Sequence, residues 1–168
     1  ATNLSYAPTP EIADRAMQAR APGEAARAAV AAANEMAARR GIKFPSYPLA
    51  LGEAALECDA HPSETAYVNF RGSIAPCVYL GIPVEGEAPR YFEGESRPIT
   101  PLSYGQVEDG LLEVLQGRAR AAFCAPFKAR KRFGYSALAS LAALSPDDAL
   151  DLPPAPEPCR ACYKLYGV

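Results

Sequence analysis

The pattern of apolar and polar positions predicts a chain in which helices lie on both sides of a central extended region. Segments of good helix formers with apolar residues at helical spacing are expected as helices. These are 10–20, Gly23–Arg40, 107–120, 121–132 with a break or kink at Pro126, and Ser136–Leu144. The second helix is the strongest, because it is rich in alanine and is followed by Gly41, a residue type that commonly ends helices.

The central region is expected to be extended. Two apolar runs, Tyr67–Phe70 and Ile74–Leu80, flank a connection containing Gly72 and predict a β-hairpin. Glycine suits this connection because it adopts a positive φ at little cost. Three stretches rich in proline are expected as irregular or polyproline-like structure, namely 42–51, 83–101 and 152–158. Residues 1–7 form a short strand-like run.

Composition narrows the classes of function. The chain has 168 residues and a net charge of −2, so it is large enough for a core and lacks the basic surface typical of nucleic-acid binding. The basic run 128–132 is expected to be a solvated helix face. No apolar stretch approaches the roughly 20 residues of a membrane span. No secretory signal is visible, and the odd number of cysteines favours a reducing compartment, so a cytoplasmic location is expected.

The placement of the five cysteines carries the candidate chemistry. Cys58 is followed by Cys77, and a close pair, Cys159 and Cys162, lies near the end of the chain. A Cys-x-x-Cys pair can hold one metal centre, and two distant cysteines can complete a shell of four sulfurs. Four thiolates suit an iron–sulfur cluster or a zinc ion, and the spacing alone does not choose between them.

The cysteine pattern resembles a known family. The run Cys58-x13-Gly72-x4-Cys77, followed after a gap by Cys159-x2-Cys162, resembles the SPASM domain, the C-terminal iron–sulfur extension of many radical S-adenosylmethionine enzymes. The segment 67–77 resembles the hairpin that delivers a cysteine in that family.

Two further segments add to the resemblance. Tyr104–Val107, which precedes 111–115, is similar to the family's Phe-Gly-Asn-Leu segment leading into a helix. The opening Ala1–Thr9 is similar to the last barrel strand and loop of the radical core. The resemblance covers residues 1–8 and 56–168, and its cysteine-bearing parts are the specific ones.

The resemblance implies an α+β fold. Residues 1–50 would be the last strand and helices of a partial α/β barrel, the remnant of the radical core. Residues 51–168 would be a SPASM-like domain with a small β-hairpin and helices around a cysteine-ligated centre. A [4Fe-4S] cluster held by Cys58, Cys77, Cys159 and Cys162 would relay electrons or bind a substrate group. The implied partners are the rest of the radical core and a peptide or protein substrate.

The chain also departs from the family. The core's Cys-x3-Cys-x2-Cys motif for the catalytic cluster is missing, so no catalytic residue is assigned and the chain should not cleave S-adenosylmethionine by itself. The family cysteines that follow the close pair are not found after Cys162, so one auxiliary cluster is expected. The start at Ala1 without methionine suggests a trimmed chain.

A zinc-stabilised structural or interaction module is the alternative. His61 lies three residues after Cys58, and zinc could be held by Cys58, His61, Cys159 and Cys162 with Cys77 nearby, although the neighbouring Pro62 favours an exposed loop for His61. Cys124 lies in an apolar helical stretch and is expected in the core, with a reserve role as a ligand. With a single histidine, no Ser–His–Asp arrangement can be built.

Overall fold

A computed structural model describes residues 9–13, 18, 20–46, 48–52, 55–139 and 152–167. Within them the fold is mixed α+β, with helices and small antiparallel sheets, as expected from the sequence. The helices are α1 Pro10–Ala13, α2 Glu24–Arg39, α3 Leu111–Gln116, α4 Arg118–Ala139 and α5 Glu157–Arg160. The strands are β1 Tyr67–Val68, β2 Ser73–Ala75, β3 Tyr91–Phe92, β4 Glu95–Ser96 and β5 Gly105–Gln106. Two 3₁₀ helices, Val107–Asp109 and Tyr163–Tyr166, complete the set.

Some predictions fall on residues outside this description. The strand-like run 1–7 lies there, as do residues 140–144 of the helix predicted over Ser136–Leu144. Much of the helix expected over 10–20 also lies there, and α1 is its described part. The strands of the described residues form two small open sheets and no closed barrel. The division of the chain at residue 50 stays a prediction. No helix among the described residues has the length and apolar character needed to cross a membrane.

Helix α2 forms as predicted and ends at the expected glycine. Gly41 has a φ of 64°, and its N–H donates to Ala38 O while the N–H of Ile42 donates to Ala37 O. These two bonds are the Schellman arrangement, in which a left-handed residue after the helix satisfies its last carbonyls. Only Ala37 of this helix is buried, so α2 contributes little to the described core.

The predicted hairpin exists, but its second strand is shorter than expected. Antiparallel β1 and β2 pair Tyr67 with Ala75, and β5 adds to the other edge of β2. Gly72 has a φ of 76° in the connecting turn. The side chain of buried Asn69 accepts hydrogen bonds from the N–H groups of two turn residues, Arg71 and Ser73. β2 ends at Ala75 because Pro76 has no N–H to continue the ladder.

A second hairpin lies in the segment 83–101, which was expected to be an irregular loop. Strands β3 and β4 pair Tyr91 with Ser96 across a turn in which Glu93 and Gly94 have φ values of 53° and 80°. Two consecutive positive φ values define the turn type that fits the twist of a two-residue hairpin. Glutamate is not a typical residue for this turn, so the sequence signal was weak. The backbone N–H of Glu93 donates to the hydroxyl of Tyr163 at 2.9 Å.

The later helices are separated at Gly117, and no break occurs at Pro126, where the sequence predicts a break or kink. Helix α4 continues through Pro126 to Ala139, which also removes the separate helix start predicted at Ser136. Residues on both sides of the proline are buried on one face of α4, including Phe123, Phe127 and Arg130. Their packing offsets the hydrogen bond that proline cannot donate.

The main core lies between α4, the three-stranded sheet and the C-terminal segment. Its buried members come from many parts of the later chain: Ile74, Leu80, Ala88, Ile99, Tyr104, Val114, Phe123, Cys124, Phe127, Ala155, Cys159 and Leu165. Phe123 packs on Phe127 with ring centroids 6.0 Å apart. Cys159, a predicted ligand, and Cys124, the predicted reserve ligand, are therefore part of the same packed interior.

Buried Glu57 links the segment before Cys58 to α4. Its carboxylate accepts the N–H of Ser63 at 2.6 Å and forms an ion pair with Lys131 Nζ at 2.5 Å. Burial raises the pKa of this carboxyl, but the contacts with Lys131 and Ser63 lower it more, so the net pKa is below its ordinary value. Lys131 also pairs with exposed Glu64.

The pKa of Glu57 predicts how stability depends on pH. A carboxyl with a depressed pKa in the folded state stabilises the protein above its unfolded value of about 4.3, and this contribution is lost as pH falls through the folded pKa. Glu57→Gln should therefore be less stable than the parent protein at pH 7, and the difference should shrink as pH falls from 5 to 3. Urea unfolding at each pH measures this, with the exposed Glu64→Gln as control. A difference that stays constant with pH would contradict the role of the Glu57 charge.

Candidate metal centre

Four cysteines from three separate segments line one cavity. Cys58, Cys77, Cys159 and Cys162 surround it together with Arg90, and apolar residues such as Leu80, Phe123 and Leu165 complete the walls. We call this space the cysteine cavity. All five cysteines lie in the described residues and are free thiols. The fold therefore brings to one cavity four residues that are up to about a hundred positions apart in the chain.

Cys58 and Cys77 each begin a tight turn. The carbonyl of Cys58 accepts the N–H of His61 at 3.0 Å, and the carbonyl of Cys77 accepts the N–H of Gly81 at 2.9 Å. The turns also direct backbone N–H groups at the sulfurs, from Ala60 towards Cys58 and from the two residues Tyr79 and Leu80 towards Cys77. Such donors stabilise a thiolate more than a thiol.

Cys159 and Cys162 lie at the end of a proline-rich segment, as predicted. The prediction of a polyproline-like lead extending to residue 158 is only partly right, because Pro158 lies inside α5. Cys159 N donates to Pro156 O at 2.9 Å, and Cys162 N donates to Cys159 O at 3.1 Å. This single turn places both sulfurs of the pair on the cysteine cavity. The local geometry is the compact one that a Cys-x-x-Cys metal clamp requires.

The thiols of the cavity influence one another. The pKa of Cys58 is raised to about 11, mainly by burial and also by the nearby Cys162 and Cys77, against the N–H of Ala60, which lowers it. Burial also raises the pKa of Cys159, followed by the effects of the other three cysteines. Without a metal, the thiols of Cys58, Cys77 and Cys159 are therefore protonated at neutral pH. A metal or cluster would bind them as thiolates and release their protons.

Arg90 is the one charged guanidinium on the cavity wall, and it is only 1% exposed. Its Nη1 donates to the carbonyl of Pro158 at 2.8 Å and reaches that of Ala161 at 3.4 Å, while its Nε has no hydrogen-bond partner among the described residues. Its positive charge lowers the pKa of Cys77 and of Cys159 against the larger effect of burial. The sequence analysis missed this residue, since a single arginine in an apparent loop carries no motif.

The cavity is small in this structure. Its volume is about 20 Å³, close to the space that one water molecule requires. Within the described residues, no group of three or more His, Cys, Asp or Glu side chains is arranged to hold a metal ion. The four thiols thus share a cavity without converging on one point. Ligation would require side-chain movement, such as a change of thiol rotamer.

Two other sequence candidates lie outside the cavity. His61 is exposed in the loop after Cys58, with its Nδ1 3.9 Å from Glu57, as the prediction of a loop histidine expected. Cys124 is only 1% exposed, and its sulfur contacts the carbonyl of Pro62 at 3.4 Å. The prediction that Cys124 is a core residue is confirmed. The zinc ligand set that includes His61 is not brought together.

Gly81 supports the turn that carries Cys77. A Cβ atom at this position would lie 2.8 Å from Ala75 Cβ and from Tyr67 Cδ1, and 3.2 Å from the carbonyl of Cys77. We expect Gly81→Ala to destabilise the protein by about 2 kcal/mol, the scale of overpacking a closely filled site. Gly52→Ala is the matched control, because its nearest neighbour would be 3.8 Å away. Urea unfolding of both variants checks this, and equal stabilities would show that the turn relaxes freely.

Comparisons of the chain with protein-family models, with curated proteins and with solved structures found no significant match.

Proposed function

We propose that this chain binds one auxiliary [4Fe-4S] cluster through Cys58, Cys77, Cys159 and Cys162. On the resemblance described above, it would be the C-terminal, SPASM-like part of a radical S-adenosylmethionine enzyme. The single observation that supports this proposal best is the shared cavity. Four thiols from three distant segments line it, while the fifth cysteine, Cys124, is packed elsewhere in the core.

The residues of the cavity fit such a group in their chemistry. Thiolates are the usual ligands of iron–sulfur clusters, and N–H groups directed at the sulfurs are a usual means of tuning them. A centre with four thiolates carries negative charge, and the unpartnered Nε of Arg90 gives the cavity a buried cation to oppose it. The small volume means that the thiol side chains must turn outward as the cluster is inserted.

The ligand count restricts the role of the centre. When bound, the cluster would supply a one-electron redox group. Four cysteines would occupy all four irons, which leaves no iron open for a substrate atom. Of the two roles that the resemblance implies, electron relay therefore fits this donor set better than substrate binding. The apolar wall formed by Leu80, Phe123 and Leu165 would exclude water from the centre.

The partners follow from the same proposal. The relay requires a second redox site, which the resemblance assigns to the radical core with its own cluster and S-adenosylmethionine. Residues 1–50 would be the end of that core, and residues 51–168 the cluster domain. A peptide or protein would be the substrate of the whole enzyme. The alternative is a structural zinc module, which would use the same four thiols without a redox role.

Metal analysis separates the two candidates. The protein is purified without oxygen, reconstituted with iron and sulfide, and analysed for iron, sulfide and zinc together with its visible spectrum. About four irons and four sulfides per chain, with broad absorbance near 400 nm, is the result expected for a cysteine-held four-iron cluster. A colourless protein with one zinc per chain would establish the structural module and overturn the iron–sulfur proposal. A protein that retains neither would overturn both.

A further inference from the structure

The described residues contain two buried arginines with different surroundings. Arg130 is 3% exposed, and its guanidinium donates to the carbonyls of Ala55, Leu56 and Pro153. Its charge is therefore surrounded by backbone oxygens, and it ties three chain segments together. Arg90 is even less exposed, yet its Nε has no partner. A buried donor without a partner is costly, so the site of Arg90 calls for an acceptor that the described residues do not provide.

The position of Arg90 indicates where that acceptor belongs. Arg90 precedes strand β3 and lies on the wall of the cysteine cavity. Its two carbonyl contacts, Pro158 and Ala161, flank Cys159 in the loop of the cysteine pair. Within the described residues no carboxylate pairs with it. The guanidinium is thus anchored at one nitrogen to the loop of the cysteine pair, and Arg90 lines the same cavity as the four thiols.

We infer that Arg90 donates a hydrogen bond from Nε to a sulfur of the centre held in the cysteine cavity and sets its reduction potential. This inference rests on the proposed function, and it assigns a residue that the resemblance does not. Arg90 is a positioning and tuning residue, because it acts on the ligands and the cluster rather than on a substrate. The same contacts with Pro158 and Ala161 hold the Cys159–Cys162 turn in place.

The charge of Arg90 is expected to raise the reduction potential of the cluster. Reduction adds one negative charge to the cluster, and a nearby buried cation stabilises the reduced form more than the oxidised form. Removing the charge should therefore lower the potential. For Arg90→Gln we expect the ratio of reduced to oxidised cluster at a fixed applied potential to fall at least about tenfold. For a one-electron couple this corresponds to a decrease in reduction potential of about 59 mV. Arg90→Lys keeps the positive charge, so the reduction potential of its cluster should lie close to that of the parent protein.

The experiment is a redox titration of the anaerobically reconstituted protein, followed by electron paramagnetic resonance of the reduced cluster. Arg160→Gln is the matched control, since it removes an identical charge from an exposed residue of α5 next to Cys159, where solvent screens the charge. We expect a much smaller shift for this control than for Arg90→Gln. Equal shifts in both, or no shift in Arg90→Gln, would overturn the inference.

A second measurement on the parent protein keeps the test independent of whether the variants assemble. Arginine labelled with ¹⁵N in its guanidinium is incorporated, and pulsed paramagnetic resonance of the reduced cluster detects magnetic coupling to nearby nitrogen. A guanidinium coupling in the parent protein supports the inference, and its absence overturns it. If the parent protein forms no cluster at all, the proposed function fails instead, so the two failures are distinct.

Discussion

Cys162→Ser should abolish loading of the metal centre. The serine hydroxyl is a poor ligand for iron, so one corner of the four-thiolate shell is lost. Disturbing residues that merely support a metal ligand usually costs 10–100-fold in affinity, and removal of a ligand should cost at least about as much. We expect iron and sulfide contents after reconstitution to fall at least about tenfold, with loss of the visible absorbance. Cys58, Cys77 and Cys159 should behave in the same way.

Cys124→Ser is the control for this prediction. It makes the same chemical change in a residue that packs in the same core but does not line the cysteine cavity. The hydroxyl of serine can keep the contact that the Cys124 sulfur makes with the carbonyl of Pro62. Iron content should therefore remain close to that of the parent protein. Equal loss in Cys162→Ser and Cys124→Ser would overturn the ligand assignment.

Phe127→Ala should be among the most destabilising single changes in the core. Phe127 is fully buried and packs on Phe123, which lines the cysteine cavity and also contacts Tyr104. Truncation removes a large apolar side chain and leaves a cavity, at a typical cost of 3–5 kcal/mol. We expect a loss of about 4 kcal/mol in the free energy of unfolding, measured by urea titration at equal metal content.

Phe133→Ala is the control for the core prediction. It is the same substitution in the same helix, α4, but the Phe133 side chain is exposed. Its loss should change the unfolding free energy by less than about 1 kcal/mol, because little apolar surface returns to water. A similar loss of unfolding free energy at both positions would contradict the description of Phe127 as buried and Phe133 as exposed.

Local chemistry was sufficient to predict several elements. The alanine-rich sequence before Gly41 determines both the course of α2 and its end, since the helix propensity and the glycine act within a few residues. The turn at Gly72 is also local, because its positive φ depends on the residue itself. The proximity of Cys159 and Cys162 is also local, since a single turn of the chain places both residues on the wall of the cysteine cavity.

Other features depend on contacts between distant residues and could not be predicted. Helix α4 continues through Pro126 because Phe123, Phe127 and Arg130 are buried on one face, and this packing overrides the local signal of proline. The β3–β4 hairpin has few strand-forming residues. Its turn residue Glu93 is instead held by Tyr163 from the far end of the chain.

The candidate metal centre also has features that follow from the sequence and features that depend on the tertiary structure. The sequence alone determined which residue types are available and that Cys58, Cys77, Cys159 and Cys162 are suitable ligands, because thiolate chemistry belongs to each side chain. Only the tertiary structure decided that these four line one cavity, that Cys124 and His61 are outside it, and that Arg90 faces the thiols. The physical reason is that burial and electrostatics depend on distance in space, and residues 90 and 159 become neighbours only when the chain folds.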